Sequence, residues 1–400
     1  SNNDANKTVN YWAADGTKTS YPYLSAPEHI DYQKLGDTWS RPSIMLLPYK
    51  STDGKIKQRW TMVFGGGYGG GASSGFGPYV FVLDFEPDTT LSPNTSGGQI
   101  ISAIPIPSDP SSDIPNGATA HMSVVTSDGT ALANYYGGIA YFTDQQGQLW
   151  KYNLSKTSLD EDNDNLFELN LAYRAEGTLA NDRFGYNQVA TTIVQDDSGA
   201  SSLINYFGTG NLSRIQGRDS TINNRIFGIR DIDFPSYGLT LTGTAKNAAT
   251  SQNIDATECV TDITQNWYSN TYSKTTLVPS PGNPTKDWTK IIGRAGLYNK
   301  SIFFSIYRPE DLACPRKGTS QIIEISDGCG GVLQDKVEGL ITAPVIDKRG
   351  NMYFGVSNFT KETIITDNDE TLNKTGLVRR EAIGTPDSEG RDWKSWRQIE

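Results

Sequence analysis

The feature that most constrains this chain is a strand–turn–strand unit that recurs along it. Each unit joins two short runs of aromatic and β-branched residues through a polar turn that contains Gly or Asp. Such runs are typical of buried or half-buried β-strands, and the turns between them favour hairpins. Five pairs predict hairpins: 60–64 with 79–84, 139–144 with 148–152, 203–207 with 225–229, 301–306 with 321–325, and 343–346 with 351–354.

The recurrence of these units every few tens of residues predicts an all-β fold. We expect a β-propeller of the quinoprotein-like kind, irregular and with about seven blades, in which each blade buries its faces against the next. A set of β-sandwich domains remains the alternative, because strand spacing alone does not separate the two. No long segment has the 3.6-residue period of an amphipathic helix. The 40 glycines and 19 prolines are spread along the chain, as all-β folds require.

The predicted organisation has two parts, residues 1–30 as an N-terminal extension or partial blade and residues 31–400 as the propeller domain. Two segments rich in Ser, Pro, Gly or Asn, Leu91 to Asn116 and Asn247 to Asp287, are expected to be long loops or blade connections. The glycine run Gly65 to Gly71 lacks the Lys-Ser/Thr of a phosphate-binding loop. It therefore predicts a turn or a close approach between blades.

Charge and hydropathy limit the classes of partner that we expect for this chain. The net charge is −10 without a Lys/Arg run, so we expect no nucleic acid to bind. An acidic surface suits divalent cations, although this charge is equally explained by solubility. No stretch approaches the roughly 20 apolar residues of a membrane span, and we expect a targeting signal to lie upstream of Ser1.

Three cysteines occur without any C-x-x-C spacing, which excludes a zinc ribbon. Cys314 and Cys329 flank a short segment, and a disulfide between them is plausible in an oxidising compartment. Three reduced thiols are the alternative. With that bridge formed, Cys259 is either free or paired elsewhere.

An acidic loop is the best candidate site. Asp160, Asp162, Asp164 and Glu168 occupy positions 1, 3, 5 and 9 of an EF-hand-like calcium loop, and Leu166 supplies the backbone carbonyl of position 7. Asn165 tolerates the sharp turn normally made by Gly, and Phe167 can anchor the loop in the core. Leu171 stands where the full EF-hand has its bidentate Glu, so this would be a nine-residue variant. The alternative is a solvated acidic loop.

Catalysis finds little support, and we expect no enzyme. The two histidines, His29 and His121, lie in no zinc-hydrolase pattern, and no G-x-S-x-G nucleophile motif is present. Two other functions stay open. One is a quinoprotein-like dehydrogenase, although its tryptophan-docking repeats and adjacent cysteines are missing. The other is a calcium-dependent, lectin-like module that binds sugars through exposed Trp and Tyr.

Several segments, in order, resemble the C-terminal domain of the PilC/PilY-type family of type IV pilus tip adhesins and biogenesis proteins. They span about residues 31–397 and comprise 35–42, Trp60 to Tyr68, Tyr79 to Asp84, 147–152 (G-x-L-W-[KR]-[FY]), 206–210 (F-G-T-G) and the Trp-Arg ending 390–397. No single motif is specific, and the family's opening blade strands are not evident. The acidic loop also follows a blade strand here, whereas the family's loop usually precedes it, near 127–130.

This resemblance implies a calcium-dependent propeller at the pilus tip or outer cell surface, exported through the periplasm. It implies roles in pilus assembly, twitching motility and host or surface attachment. The implied partners are pilus subunits (minor pilins) and a host-surface receptor. Some relatives carry an Arg-Gly-Asp integrin motif, but this chain has Arg349-Gly350-Asn351, so integrin binding is not expected.

Overall fold

The computed structural model describes most strands of the chain and several of the loops between them. The described residues are 8–12, 18–22, 32–50, 56–69, 76–85, 87–88, 95–126, 137–155, 166–195, 201–219, 221–234, 246–254, 266–270, 288–298, 301–309, 318–326, 332–333, 337–357 and 377–381. Within these residues the protein is all-β, with two single 3₁₀ turns at Leu212–Arg214 and Ala248–Thr250.

Five sheets of three or more strands follow one another along the chain. The first sheet contains β3 (Ser43–Lys50), β4 (Ile56–Gly65), β6 (Tyr79–Asp84) and β9 (Ile100–Pro105). The second contains β11 (Ser123–Thr126), β12 (Gly137–Thr143), β13 (Gln148–Ser155) and β14 (Leu169–Arg174). In both, sequential neighbours pair antiparallel.

The third sheet contains β15 (Ala190–Gln195), β16 (Ser201–Gly208), β17 (Arg225–Asp231), β18 (Gln252–Asn253) and β19 (Trp267–Asn270). Its order is β15-β16-β17-β19-β18, and only the pair β18–β19 is parallel within it. The fourth contains β20 (Lys290–Tyr298), β21 (Ser301–Pro309), β22 (Gly318–Ser326), β23 (Val332–Leu333) and β24 (Val337–Glu338). The fifth contains β25 (Val345–Ile346), β26 (Asn351–Gly355) and β27 (Leu377–Glu381).

Three two-stranded ribbons complete the described strands. They are β1 (Thr8–Trp12) with β2 (Lys18–Pro22), β5 (Gly67–Tyr68) with β10 (Gly117–Ala118), and β7 (Pro87–Asp88) with β8 (Thr95–Ser96). All five predicted strand pairings are confirmed, since β4 pairs with β6, β12 with β13, β16 with β17, β21 with β22, and β25 with β26.

The two predicted long loops are wrong in part. The segment Leu91 to Asn116 contains β9, which pairs with β6 and completes the first sheet. The segment Asn247 to Asp287 contains β18 and β19, and Trp267 of β19 is buried in the third sheet. In both cases a short β-branched or aromatic run gains its pairing partner from elsewhere in the chain, which local composition does not reveal.

In the interior sheets, alternating side chains of a strand enter two different cores, and this stacks the sheets in chain order. In β12, Ala140 and Phe142 pack with the first sheet, whereas Ile139 and Tyr141 pack with the third. In β21, Phe304 packs with the third sheet and Phe303 with the fifth. The interior sheets are therefore buried on both faces, whereas each sheet of a two-layer sandwich buries only one.

Backbone hydrogen bonds join successive sheets at the end of the stack where β4, β12 and β16 finish. Gln145 N donates to Gly117 O (2.9 Å) and Gly210 N donates to Phe184 O (3.0 Å). Ile291 N then donates to Thr209 O (3.2 Å). Gly67 closely approaches the segment before β3, since a Cβ on it (φ +91°) would overlap the backbone of Asp37. This end therefore fixes the spacing between sheets.

Candidate functional site

The predicted calcium loop connects the third and fourth strands of the second sheet, after β13 and before β14. Asp160, Asp162 and Asp164 lie outside the described residues, so their arrangement stays a prediction. Leu166 and Glu168 are described, in the turn that leads into β14. The loop therefore leaves Ser155 on one strand and returns at Leu166 beside the adjacent strand.

The returning end of this loop is fixed to β13. Phe167 N donates to Asn153 O (2.8 Å), and Asn153 N donates to Glu168 O (2.9 Å). The Phe167 ring lies 6.4 Å from that of Tyr152, and Leu166 packs against the core between the first and second sheets. Phe167 thus anchors the loop as predicted, and it does so with a φ of 69°, a value uncommon for a residue other than Gly.

The structure describes few of the other acidic runs, histidines and cysteines of the sequence. Residues 196–199 and 367–370, His29 and all three cysteines lie outside the described residues. His121 Nδ1 accepts a hydrogen bond from Arg41 N, and burial together with Arg41 lowers the pKa of this imidazole. Within the described ranges, no group of three or more His, Cys, Asp or Glu residues is placed to hold a metal ion.

A buried charged cluster joins the second and third sheets. Lys151 Nζ of β13 lies 2.6 Å from Asp231 Oδ2 at the end of β17, and the two side chains are 1% and 2% exposed. Tyr141 Oη donates to the same oxygen (2.7 Å). Burial lowers the pKa of Lys151 while Asp231 opposes that shift, and burial raises the pKa of Tyr141. Asp231 Oδ1 also accepts a hydrogen bond from Asp233 N (3.1 Å) in the turn after β17.

A second buried pair ties the segment between β14 and β15 to the fourth sheet. Lys290 Nζ, at the start of β20, lies 2.6 Å from Asp182 Oδ2, and Asn211 N also donates to this oxygen (3.4 Å). Asp182 adopts a φ of 62°, so its backbone is held in a region that side chains other than Gly disfavour. Sequence reasoning missed both pairs, because their partners are about 80 to 110 residues apart and carry no local signal.

Two hairpin turns share one hydrogen-bonding plan. In the turn between β12 and β13, Asp144 accepts from Gln148 N (2.9 Å), Gln148 Nε2 (2.9 Å) and Trp150 Nε1 (2.8 Å). In the turn between β25 and β26, Asp347 accepts from Asn351 N (2.9 Å) and Asn351 Nδ2 (2.8 Å), with Tyr353 Oη at 3.5 Å.

The spacing D-x-x-G-[QN]-x-[WY] is the sequence signal of this plan, and it could have identified the repeat. The glycines of the two turns, Gly147 and Gly350, have φ values of 75° and 83°. Burial raises the pKa of Asp144 to about 7, whereas the hydrogen bonds from Asn351 lower the pKa of the exposed Asp347 to about 2. The same turn therefore holds carboxyl groups with opposite shifts.

No protein-family model matches this chain, and no curated protein matches it. No helix of the described residues has the length and apolar character needed to cross a membrane.

Proposed function

We propose that this chain is a calcium-binding β-propeller domain of a type IV pilus tip adhesin and biogenesis protein. In this proposal it supports pilus assembly, twitching motility and attachment to a host or other surface. The observation that supports it most is the ordered set of segments that resemble the family. The successive stacking of five mainly antiparallel sheets along the chain is consistent with it. Export through the periplasm to the pilus tip or outer cell surface belongs to the same proposal.

Three observations support the propeller. The interior sheets are buried on both faces, as blades are. The second and fifth sheets repeat one Asp-based turn. The outward face of the first sheet carries the partly exposed Ile44 (57%), Trp60 (41%) and Phe85 (51%), and the fifth sheet carries the exposed Val345 (67%). Apolar side chains at both ends of the stack suit a ring in which the terminal blades meet.

Calcium is proposed to close the loop between β13 and β14. Asp160, Asp162, Asp164 and Glu168 would supply carboxylate oxygens, with Leu166 supplying a carbonyl. The tether of Phe167 and Glu168 to Asn153 holds one end of this loop close to its starting strand. Only the remainder of the loop would then be ordered by the ion, which lowers the entropic cost of binding.

The direct test is calcium titration of the full chain and of Asp162→Ala by calorimetry. We expect one site in the micromolar to millimolar range, since the bidentate Glu of the full EF-hand is missing, roughly as extracellular and sensor sites behave. Asp162→Ala should lose binding and the calcium-dependent rise in melting temperature. Asp369→Ala, in the acidic run Asp367-Asn368-Asp369-Glu370, is the matched control and should retain both. Unchanged binding in Asp162→Ala would refute this ligand set.

The biological part needs a separate test. In cells that depend on this protein for piliation, the Asp162→Ala chain should reduce surface pili and attachment, whereas Asp369→Ala should not. Binding to purified minor pilins should require calcium in the same way. Normal piliation by a chain deleted for residues 31–400 would overturn the role in pilus assembly, whatever the outcome of the calcium titration.

A further inference from the structure

Asp144 lies in an environment made of hydrogen-bond donors. Its side chain is fully buried, and its two oxygens accept from Gln148 N, Gln148 Nε2 and Trp150 Nε1 at 2.8 to 2.9 Å. The backbone N–H of Gln146 is a further donor to this carboxyl group. This cage of four N–H donors fits the ionised carboxylate, which only accepts, and none of the four can accept the proton of a protonated one.

Gln148 connects this cage to a second charged pair. Its Oε1 accepts from Arg174 Nη1 (3.1 Å), and the same Nη1 lies 2.6 Å from Asp109 Oδ2. Asp109 belongs to residues 106–116, which we call the covering segment because they pack over this turn. The amide of Gln148 thus faces a carboxylate with its N–H₂ group and a guanidinium with its oxygen.

Gln146 holds the same covering segment by a second route. Its Oε1 accepts from Asp109 N (2.6 Å), and its Nε2 donates to Ser108 Oγ (2.9 Å) and to Ile114 O (2.8 Å). Gln148 Nε2 also lies 3.3 Å from Gln146 Oε1. Both glutamine amides are therefore oriented by one network that begins at Asp144 and ends in the covering segment.

We propose that Asp144 and Gln148 form a proton-operated latch that releases the covering segment. Protonation of Asp144 would place its O–H against N–H donors. Rotation of the Gln148 side-chain amide by half a turn relieves this conflict, because it replaces a donor by an acceptor. Its Oε1 then accepts the new O–H, and its Nε2 faces the guanidinium of Arg174. The N–H groups of Gln148 Nε2 and Arg174 Nη1 then face each other, and Gln148 Oε1 faces Gln146 Oε1. The covering segment is held through Arg174 and through Gln146, so both of these attachments weaken.

The direction of the switch follows from the surroundings of Asp144. Burial raises the pKa of this carboxyl group to about 7, so its charge changes near neutral pH. The rotated amide binds the proton more tightly than the original cage does, and acidification therefore favours release. The ionisable groups around the turn are Asp109 and Asp113 of the covering segment, Arg174 of β14, and Arg183 and Tyr186 of the segment that follows.

The test follows two signals of the full chain between pH 5 and 9. The indole N–H resonance of Trp150, assigned by its loss in Trp150→Phe, reports the charge of Asp144 directly. Hydrogen exchange of residues 106–116, corrected for intrinsic exchange, reports release. We expect both to change with one midpoint near 7, and protection to fall by roughly tenfold on the acid side, as the loss of one or two hydrogen bonds implies.

Three variants separate the steps. Asp144→Asn replaces one acceptor by a donor and should release the covering segment at every pH. Arg174→Met should release it at every pH while the Trp150 signal still titrates. Asp347→Asn is the matched control, because the pKa of Asp347 is lowered to about 2, and it should leave both curves unchanged.

Two outcomes would overturn the latch. A Trp150 resonance that does not titrate in this range shows that the protonation state of Asp144 does not change there. A titrating resonance with exchange of residues 106–116 that is independent of pH shows that the proton is not passed on. Both readouts come from the unmodified chain, so they decide the matter even if Asp144→Asn does not fold.

Discussion

Lys151→Met tests whether the second and third sheets pack face to face. The substitution keeps the length of the side chain but removes its charge, and it leaves the carboxylate of Asp231 buried with Tyr141 Oη as its neighbour. The ion pair is 2.6 Å long and almost fully buried. Breaking one side of such a pair costs about 3–5 kcal/mol of unfolding free energy, because the remaining charge has no counterion.

The assay is equilibrium unfolding in urea, followed by tryptophan fluorescence, for the four members of a double-mutant cycle. Asp231→Asn should cost a similar amount, because buried Lys151 then loses the carboxylate that lies 2.6 Å from its Nζ. The double variant Lys151→Met/Asp231→Asn should lie within about 2 kcal/mol of the native chain, since no uncompensated charge is left. The expected coupling energy is therefore several kcal/mol, and it should change little with salt because the pair is buried.

Additive single effects, or single costs below about 1 kcal/mol, would refute this reasoning. Those values are typical of a solvent-exposed pair. They would mean that Lys151 and Asp231 are not enclosed between two sheets. Arg214→Met, which removes the exposed pair with Asp219 (3.4 Å), is the control and should cost less than about 1 kcal/mol.

Three further predictions concern a glycine in β17, the buried carboxyl group of Asp144, and the pair Cys314 and Cys329. Gly228→Val should lower the unfolding free energy by roughly 1–3 kcal/mol or more in urea titration, because a Cβ at this position overlaps the Trp267 ring. The folded-state pKa of Asp144 is raised from 3.8 to about 7, so its contribution to stability should fall, by on the order of 4 kcal/mol, as pH rises across that window. Asp144→Asn should remove this slope, and an unchanged slope would contradict it. Cys314 and Cys329 should resist thiol labelling in unreduced protein folded in the periplasm, and full labelling of both would exclude the bridge.

The strand pairings could be predicted from the sequence wherever two apolar runs and their turn are close in the chain. The pairs β12–β13 and β25–β26 are examples, since their turns carry an Asp and a Gly at fixed spacing. Strand β19 was missed because it pairs with β17 across a gap of several dozen residues. Local sequence patterns therefore predict hairpins, but they do not predict strands whose pairing partner is distant in the sequence.

The candidate sites divide in the same way. An acidic loop is visible in the sequence because its carboxylates are close neighbours, and Phe167 was recognised as its anchor. The relation between Lys151 and Asp231 depends on how two sheets stack. The relation between Asp144 and Arg174 runs through the side chain of Gln148, which contacts both. Such contacts are properties of tertiary packing, which a single sequence does not encode locally.

The stacking of the sheets in chain order has a consequence for how the molecule folds. Four of the described cores are each shared between two sheets that are successive in the sequence, so stability is approximately a sum of terms for each sheet and for each interface between adjacent sheets. In such a linear array, every new sheet docks on one that has already formed. A chain delivered from its N-terminus can therefore assemble progressively, each completed sheet serving as the template for the next.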